Sequence, residues 1–356
     1  MMKTKIFTEL YVDVTKNATK IPQDRYLDVG KYPIIDQGRG QVAGWWDDSE
    51  GLFTELPAII FGDHTRAIKY TTEPFFIGAD GVKVFRPVNA SDNPKYYYYA
   101  LQAARIPNLG YSRHFKVVKE LSIRVYNKEE QDRIVSILEQ IDDLIDAHQS
   151  ELDTLEHLVK SRFIEMFGNP VSNDKGWPHQ SIEKVAPSSA YSGVNSDKVW
   201  LLNLDMVEAQ TGRIIEYLYV NREQVGNSTC GFDEGNVLYS KLRPYLNKVV
   251  VPNQKGYCTT ELVPLRPNAK LNRQFLAYLL RSDAFVSFIN EKVAGAKMPR
   301  VSMNVFREFE CILPPIDLQN DFSIFVEQVD KSKFEIQQSL EELEILKKSL
   351  MQQYFG

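Results

Sequence analysis

The sequence predicts an α+β fold: two α+β domains in tandem, each followed by a long α-helix, with the two helices forming an antiparallel coiled coil. Three observations predict it. The chain repeats itself, with an offset that drifts from 177 to 188 residues. A heptad-like apolar seam runs through residues 131–167 and again from residue 322 to 350. The blocks before each seam carry short apolar runs bounded by turn residues, as strands do.

In the repeat, Ile59-Ile60-Phe61-Gly62-Asp63-His64-Thr65-Arg66 lies on Asn236-Val237-Leu238-Tyr239-Ser240-Lys241-Leu242-Arg243. Phe85-Arg86-Pro87 lies on Leu265-Arg266-Pro267, Glu130-Gln131 on Leu318-Gln319, and Phe167-Gly168 on the final Phe355-Gly356. This order divides the chain into a mixed block (1–126), a helix (127–168), a second mixed block (169–315) and a second helix (316–356). Within the first block, 56–62 and 78–87 read as strands and 95–104 as a helix, in which the tyrosine run 96–99 packs rather than stacks on bases. The second block repeats this with a strand at 236–240 and helical periodicity over 273–288.

In the first long helix Ile134, Leu138, Ile141, Ile145, Leu152, Leu155 and Val159 step by three and four, interrupted only at His148. Ile137, Leu144 and Leu158 widen this stripe. The second helix carries Phe322, Phe325, Val326, Val329, Ile336, Leu340, Leu343, Leu346 and Leu350. Asn127 with Glu130 predicts a capping box for the first helix. Pro314-Pro315 precedes the second, which Asp317 is expected to cap. Neither helix can bury such a stripe alone, so the two are expected to pack on each other.

Composition narrows the function. The chain has 356 residues, 43% apolar and 25% charged, which excludes a disordered or disulfide-built protein and suits two or three domains. Cys230, Cys258 and Cys311 show no metal-ligand spacing, which suits a reducing compartment. The N-terminus lacks the apolar core of a signal peptide and no run is long enough to span a membrane, so a cytoplasmic protein is expected. The net charge of −5 is segregated: +3 over residues 1–125, −7 over 126–168, +3 over 169–315 and −4 over 316–356. Two mildly basic blocks thus alternate with two acidic helices.

No catalytic signature is present. There is no phosphate-binding GxxxxGK[ST] loop, and Gly38-Arg39-Gly40 lacks the third glycine of a dinucleotide fingerprint. Asn169-Pro170-Val171 and Leu313-Pro314-Pro315 do not make the motif of an amino-methyltransferase. The five histidines form no metal pair, and there is no GxSxG elbow. The expectation is a binding subunit without catalytic residues, metal or cofactor of its own.

Polar donors instead cluster on loops at matched places. His64, Thr65, Arg66 and Lys69 follow the first strand; Ser240, Lys241, Arg243, Tyr245, Asn247 and Lys248 follow its counterpart. A second pair is Arg113 and His114 in 110–116 and Lys297 and Arg300 in 295–302. Arg39, Gln41 and Trp45-Trp46 add a loop in the first copy. Such side chains read base edges or hold phosphate, and their recurrence in both basic blocks points to a nucleic-acid surface. For Arg86 and Arg266, before proline at strand ends, ordinary salt bridges are expected.

With these residues in view, the whole chain resembles the DNA-specificity subunits of type I restriction–modification systems. The resemblance rests on the order of domain then helix, on Gly235 through Leu246, and on Gly295 through Ser302 followed by Ile312-Leu313-Pro314-Pro315-Ile316-Asp317-Leu318-Gln319. Gly176-Trp177-Pro178 and the Phe-Gly helix ends belong to it as well. Tyr126-Asn127, where the pattern has Pro-Pro, departs from it. The resemblance implies that 1–126 and 169–315 are target-recognition domains, each reading one half of a bipartite target in double-stranded DNA. It implies that the coil sets the spacer and docks two methyltransferase subunits, with motor–nuclease subunits joining the full complex. S-adenosylmethionine, ATP and Mg are then expected on those partners. Two other classes stay open: a coiled-coil adaptor without DNA specificity, and an enzyme such as a nuclease with an unrecognised site.

Overall fold

The computed structural model describes residues 3–78, 80–110, 112–194, 196–293 and 299–356. In chain order the elements are β1 (Lys3–Ile6), α1 (Phe7–Leu10), β2 (Tyr11–Asp13), β3 (Tyr32–Ile35), β4 (Gly44–Trp46), β5 (Ala58–Gly62), β6 (Ile68–Thr71), β7 (Phe76–Ile77), β8 (Val82–Pro87), α2 (Pro94–Ala103), α3 (Phe115–Val118), β9 (Ser122–Val125) and α4 (Lys128–Phe167). They continue with β10 (His179–Ser181), α5 (Ile182–Val185), β11 (Lys198–Leu202), β12 (Leu218–Asn221), β13 (Thr229–Phe232), β14 (Val237–Ser240), β15 (Val249–Val250), β16 (Gly256–Thr259) and β17 (Leu262–Leu265). The chain ends with α6 (Arg273–Arg281), α7 (Asp283–Glu291), α8 (Met303–Arg307), β18 (Glu310–Ile312) and α9 (Ile316–Phe355). No described helix is long and apolar enough to cross a membrane.

The chain forms two compact units, Met1–Gln149 with Gln338–Gly356, and Ser150–Gln337. Each holds one mixed block and a stretch of both long helices. Their sheets share a common plan, to which the first unit adds β2 and the second β13. In the first unit β6, β5, β8 and β2 lie side by side, next to a second sheet in the order β4-β3-β7. In the second unit the orders are β15-β14-β17 and β12-β11-β16-β13. In both, the second sheet contains one parallel pair, β3 with β7 and β11 with β16. The first and last strands of each block, β1 with β9 and β10 with β18, close it as antiparallel pairs.

The strand register corrects the sequence comparison. Ile59 stands opposite Phe85, and Val237 opposite Leu265. With the two Arg-Pro marks aligned, β5 therefore matches β14 at an offset of 178 rather than 177. Both strands are buried along their whole length, so no alternation of apolar and polar residues marks the register. The turn after β14 is one residue shorter, which restores the match at Arg66 and Arg243.

The repeat is clearest where the mixed blocks meet the long helices. Gln131 and Gln319 are fully buried. Gln131 accepts a hydrogen bond from Asn93 N (2.8 Å) and donates to Tyr126 O (3.0 Å). Gln319 accepts from Asn272 N (2.9 Å) and donates to Pro314 O (2.8 Å). Asn93 and Asn272 are in turn the N-caps of α2 and α6. Tyr126 thus occupies the place of Pro314, and both helices start in the same way despite the missing Pro-Pro. Asn127 caps α4 by accepting from Glu130 N (2.9 Å), but the Glu130 carboxylate turns to Arg133 instead of closing the box. Asp317 is not the cap of α9. It lies inside the first turn, because the helix already begins at Ile316.

Two further expectations change. The periodicity over 273–288 becomes two helices broken at Ser282, whose ψ of 142° leaves the helical region. Its hydroxyl donates to Leu279 O (2.7 Å) and accepts from Phe285 N (3.3 Å), ending α6 and capping α7 together. The segments 110–116 and 295–302 read in the sequence as glycine turns just before the last strand of each block, whereas a helical turn, α3 or α8, intervenes before that strand. The tyrosine run packs as expected: Tyr96, Tyr97 and Tyr99 are buried. Their hydroxyls bond Arg124 O, Asp92 and Asp142, each at 2.7 Å, so burial leaves no phenol unpaired.

Within each unit α4 and α9 run antiparallel. In the first, Ile134, Leu138 and Ile141 are buried and Ile145 half-buried on α4; Leu340 is buried and Leu343 and Leu350 half-buried on α9. Lys347 pairs with Asp142 at 2.5 Å, and His148 Nε2 meets Ser339 Oγ at 3.0 Å. In the second, Val159, Phe322, Val326 and Val329 are buried, with Leu152, Leu155 and Ile336 half-buried. Phe163 and Phe167 each lie 5.5 Å from Phe322, ring to ring. Leu144 and Leu158 do not widen the seam, and Leu346, expected within it, lies outside it: each is nearly half exposed.

Candidate nucleic-acid interface

Each unit brings its two matched loops to one place. In the first, β5 ends at Gly62, where a Cβ would lie 2.3 Å from Thr65 Oγ1 and 3.0 Å from Gln37 O, so any side chain here would force the threonine or the Gln37 loop to shift. Gly62 N donates to Ala67 O and Arg66 N to Gly62 O, both at 2.8 Å. Asp63 then receives the second loop: His114 N donates to Asp63 O (2.9 Å) and Phe115 N to Asp63 Oδ1 (2.7 Å). A third loop joins through Gln37, whose Oε1 accepts from His64 N (3.4 Å) and whose carbonyl accepts from the Thr65 hydroxyl.

In the second unit the same junction is built from strand-like pairing. Lys241 N donates to Glu261 O (3.0 Å), Val301 N to Lys241 O (2.8 Å) and Arg243 N to Pro299 O (2.8 Å). Leu242 bridges Arg300. Arg66 and Arg243, matched in the repeat, both hold the left-handed region, at φ 63° and 48°. That region is uncommon for any residue but glycine, asparagine and aspartate. Asn247, at φ 50°, closes the single helical turn Pro244–Leu246 that follows Arg243.

The side chains at these loops divide into those turned inward and those left to solvent. His114 is fully buried: its Nε2 accepts from Leu109 N (3.1 Å), so Nδ1 carries the proton and donates to Asp63 O (2.8 Å). Lys69 is buried, donating to Asp36 O (2.8 Å); burial lowers its pKa against the pull of Asp36. Ser240 and Asn247 are buried as well, donating to Leu242 O (3.0 Å) and Arg281 O (2.9 Å). Arg66 donates to Ile106 O (3.1 Å) and lines an open cavity of about 720 Å³ beside Asp142 and Asp146 of α4. Arg300 pairs with Glu261 at 2.8 Å while staying exposed. His64 is half-buried; Thr65, Arg39, Gln41, Arg113 and Tyr245 are exposed, and Gln41 is held by Tyr70 O (2.9 Å). Lys241 and Arg243 are half-buried, and the Arg243 Nε has no partner among the described residues. Lys297 lies outside the described residues. Arg86 and Arg266 make the ion pairs expected of them, with Glu55 (3.2 Å) and Asp233 (2.8 Å).

Gln37, Asp63 and Glu261 organise these junctions and were not marked by charge pattern or motif. Asp63 follows a strand-ending glycine, which is the one signal that could have singled it out.

The model of the type I restriction modification DNA specificity domain matches residues 11–157 and 210–345. The chain belongs to that family. The EcoDI specificity subunit of a type I restriction enzyme from Escherichia coli is 26% identical over 123 residues, which is 35% of this chain and 27% of that protein. The match therefore spans little more than a quarter of the curated relative. Solved structures share the fold over nearly the whole chain. The S subunit of a type I restriction–modification system from M. genitalium superposes with a TM-score of 0.64 at 15% identity, covering 100% of this chain and 96% of that one. A chain from a structural study of complex assembly and conformational transition of a type I system gives 0.52 at 14% identity, with 99% and 97% covered. The specificity-domain family accounts for the tandem plan of two α+β blocks and two long helices.

Proposed function

We propose that this chain reads a bipartite sequence in double-stranded DNA, one half with each α+β block, as the non-catalytic specificity subunit of a type I restriction–modification complex. The observation that carries the reading is the duplicated loop junction with its left-handed arginine, present once in each basic block. Non-glycine residues in this region cluster at functional sites. This reading assigns Arg39, Thr65 and Arg113 in the first block, and Lys241, Arg243 and Tyr245 in the second, to the duplex; they are exposed or half-buried at the loops.

The helices complete the proposal. Each has 40 residues and is about 60 Å long at 1.5 Å per residue, a scale suited to spacing two half-sites about 34 Å or more apart. Their acidic surface turns from phosphate toward protein, and two methyltransferase subunits dock there. Motor–nuclease subunits join a full complex in the cytoplasm, and S-adenosylmethionine, ATP and Mg belong to those partners. The modest +3 on each block implies weak binding alone, because affinity from counterion release scales with the phosphates neutralised. Mobility-shift titration of a target duplex checks this. The chain alone is expected to bind weakly and the chain with its methyltransferase to bind sequence-specifically. Tight, salt-insensitive binding by the chain alone contradicts the division of labour, and no shift with the partner present leaves the adaptor reading.

A further inference from the structure

We propose that Cys230 and Cys258 are a redox-active dithiol that closes to a disulfide by exchange with a low-molecular-weight disulfide. The two are direct partners in the antiparallel ladder of β13 and β16. Residues so paired point to one face of the sheet with Cα atoms about 4.5–5.5 Å apart, within the span a disulfide bridges. Their sulfurs converge on a single acceptor: Cys230 Sγ lies 3.8 Å and Cys258 Sγ 3.6 Å from Leu262 O. β13 is the edge strand of its sheet. Cys230 is accordingly half-buried while Cys258 is buried.

This asymmetry assigns the roles. The hydrogen bond from Cys258 pulls the Cys230 thiol down to about 7, against its burial and with help from Lys241. Cys258 is pushed up, first by that same hydrogen bond and then by burial. Cys230 is thus the attacking thiolate. It attacks one sulfur of the small disulfide RSSR, forming a mixed disulfide and releasing one RS⁻, which takes up a proton. Cys258 then loses its proton and attacks the Cys230 sulfur, displacing the second RS⁻. The two thiols are oxidised by two electrons and RSSR is reduced to two RSH. Closure removes both S–H donors from Leu262 O, and Leu262 stands opposite Ser240, the residue before Lys241. The bond therefore forms beside the second recognition loop. That consequence rests on the DNA reading, whereas the thiol chemistry does not.

The experiment treats the reduced full chain with oxidised glutathione, followed by intact mass, thiol titration and peptide mapping. The expected result is a fall from three free thiols to one, a peptide linkage between Cys230 and Cys258, and reversal by dithiothreitol. Cys311, buried and pushed up to about 12 by burial, stays reduced. In Cys258→Ala the reaction should stop at a glutathione adduct on Cys230, and in Cys230→Ala no thiol should react. Three thiols retained in the native chain, or a stable glutathione adduct on Cys230 with Cys258 still free, overturns the proposal. All three readouts are independent of whether the chain binds DNA.

Discussion

A left-handed backbone costs an L residue about 1–2 kcal/mol, and Arg66 and Arg243 carry that cost at the same point of two diverged copies. Under the proposed DNA reading Arg243 is the one to test, since the Arg66 guanidinium is already tied to Ile106 O. Arg243→Ala should weaken target binding by about 1–3 kcal/mol and relax preference at one base pair, measured by competition among variant duplexes. A uniform loss across sequences would assign the arginine to phosphate. Arg243→Gly should bind as poorly as the alanine variant yet fold at least as stably, because glycine accepts this φ freely. The buried glutamines make a separate prediction about the scaffold. Gln131→Leu leaves one backbone N–H and one carbonyl without their partner, and Gln319→Leu one N–H and two carbonyls; each change should cost about 1–3 kcal/mol per stranded group in urea unfolding. Charge in a sequence marks donors but not their direction. His114 and Lys69 look as available as Arg113 until the fold places them inside, bonded to Asp63 O and Asp36 O.

At the scale of elements, the long helices were legible because their seams repeat over many turns, and the buried glutamines fell out of the same repeat. What the sequence hid was decided by a single side chain or by burial on both faces. Ser282 breaks a periodic stretch with one hydroxyl that serves two helices. The register of β5 and β14 slips by one residue in the comparison because nothing polar alternates along either strand. Leu144 and Leu158 each lie one residue before a seam position, Ile145 and Val159, about 100° round the helix, and so face solvent from the flank of the stripe. The candidate site was legible as two loops per block, whereas their convergence on Asp63 and on Lys241 is a tertiary fact. Leu152→Asp puts a charge into the seam of the second unit and should abolish co-purification with the methyltransferase before it alters base preference. Assembly that survives would place the docking surface elsewhere.

For the whole molecule, the repeat makes the account modular. If each block reads its own half-site, exchanging residues 1–125 for those of a relative should change one half of the methylated motif and leave the other half and the gap intact. Both halves changing together would mean that the blocks do not read independently. The most direct test of the central claim is methylome sequencing of a host expressing this chain with its proposed methyltransferase partner, compared with a deletion of this chain alone. The account predicts a two-part methylated motif with a fixed gap that disappears on deletion. An unchanged methylome, with the methyltransferase demonstrably expressed, would contradict it.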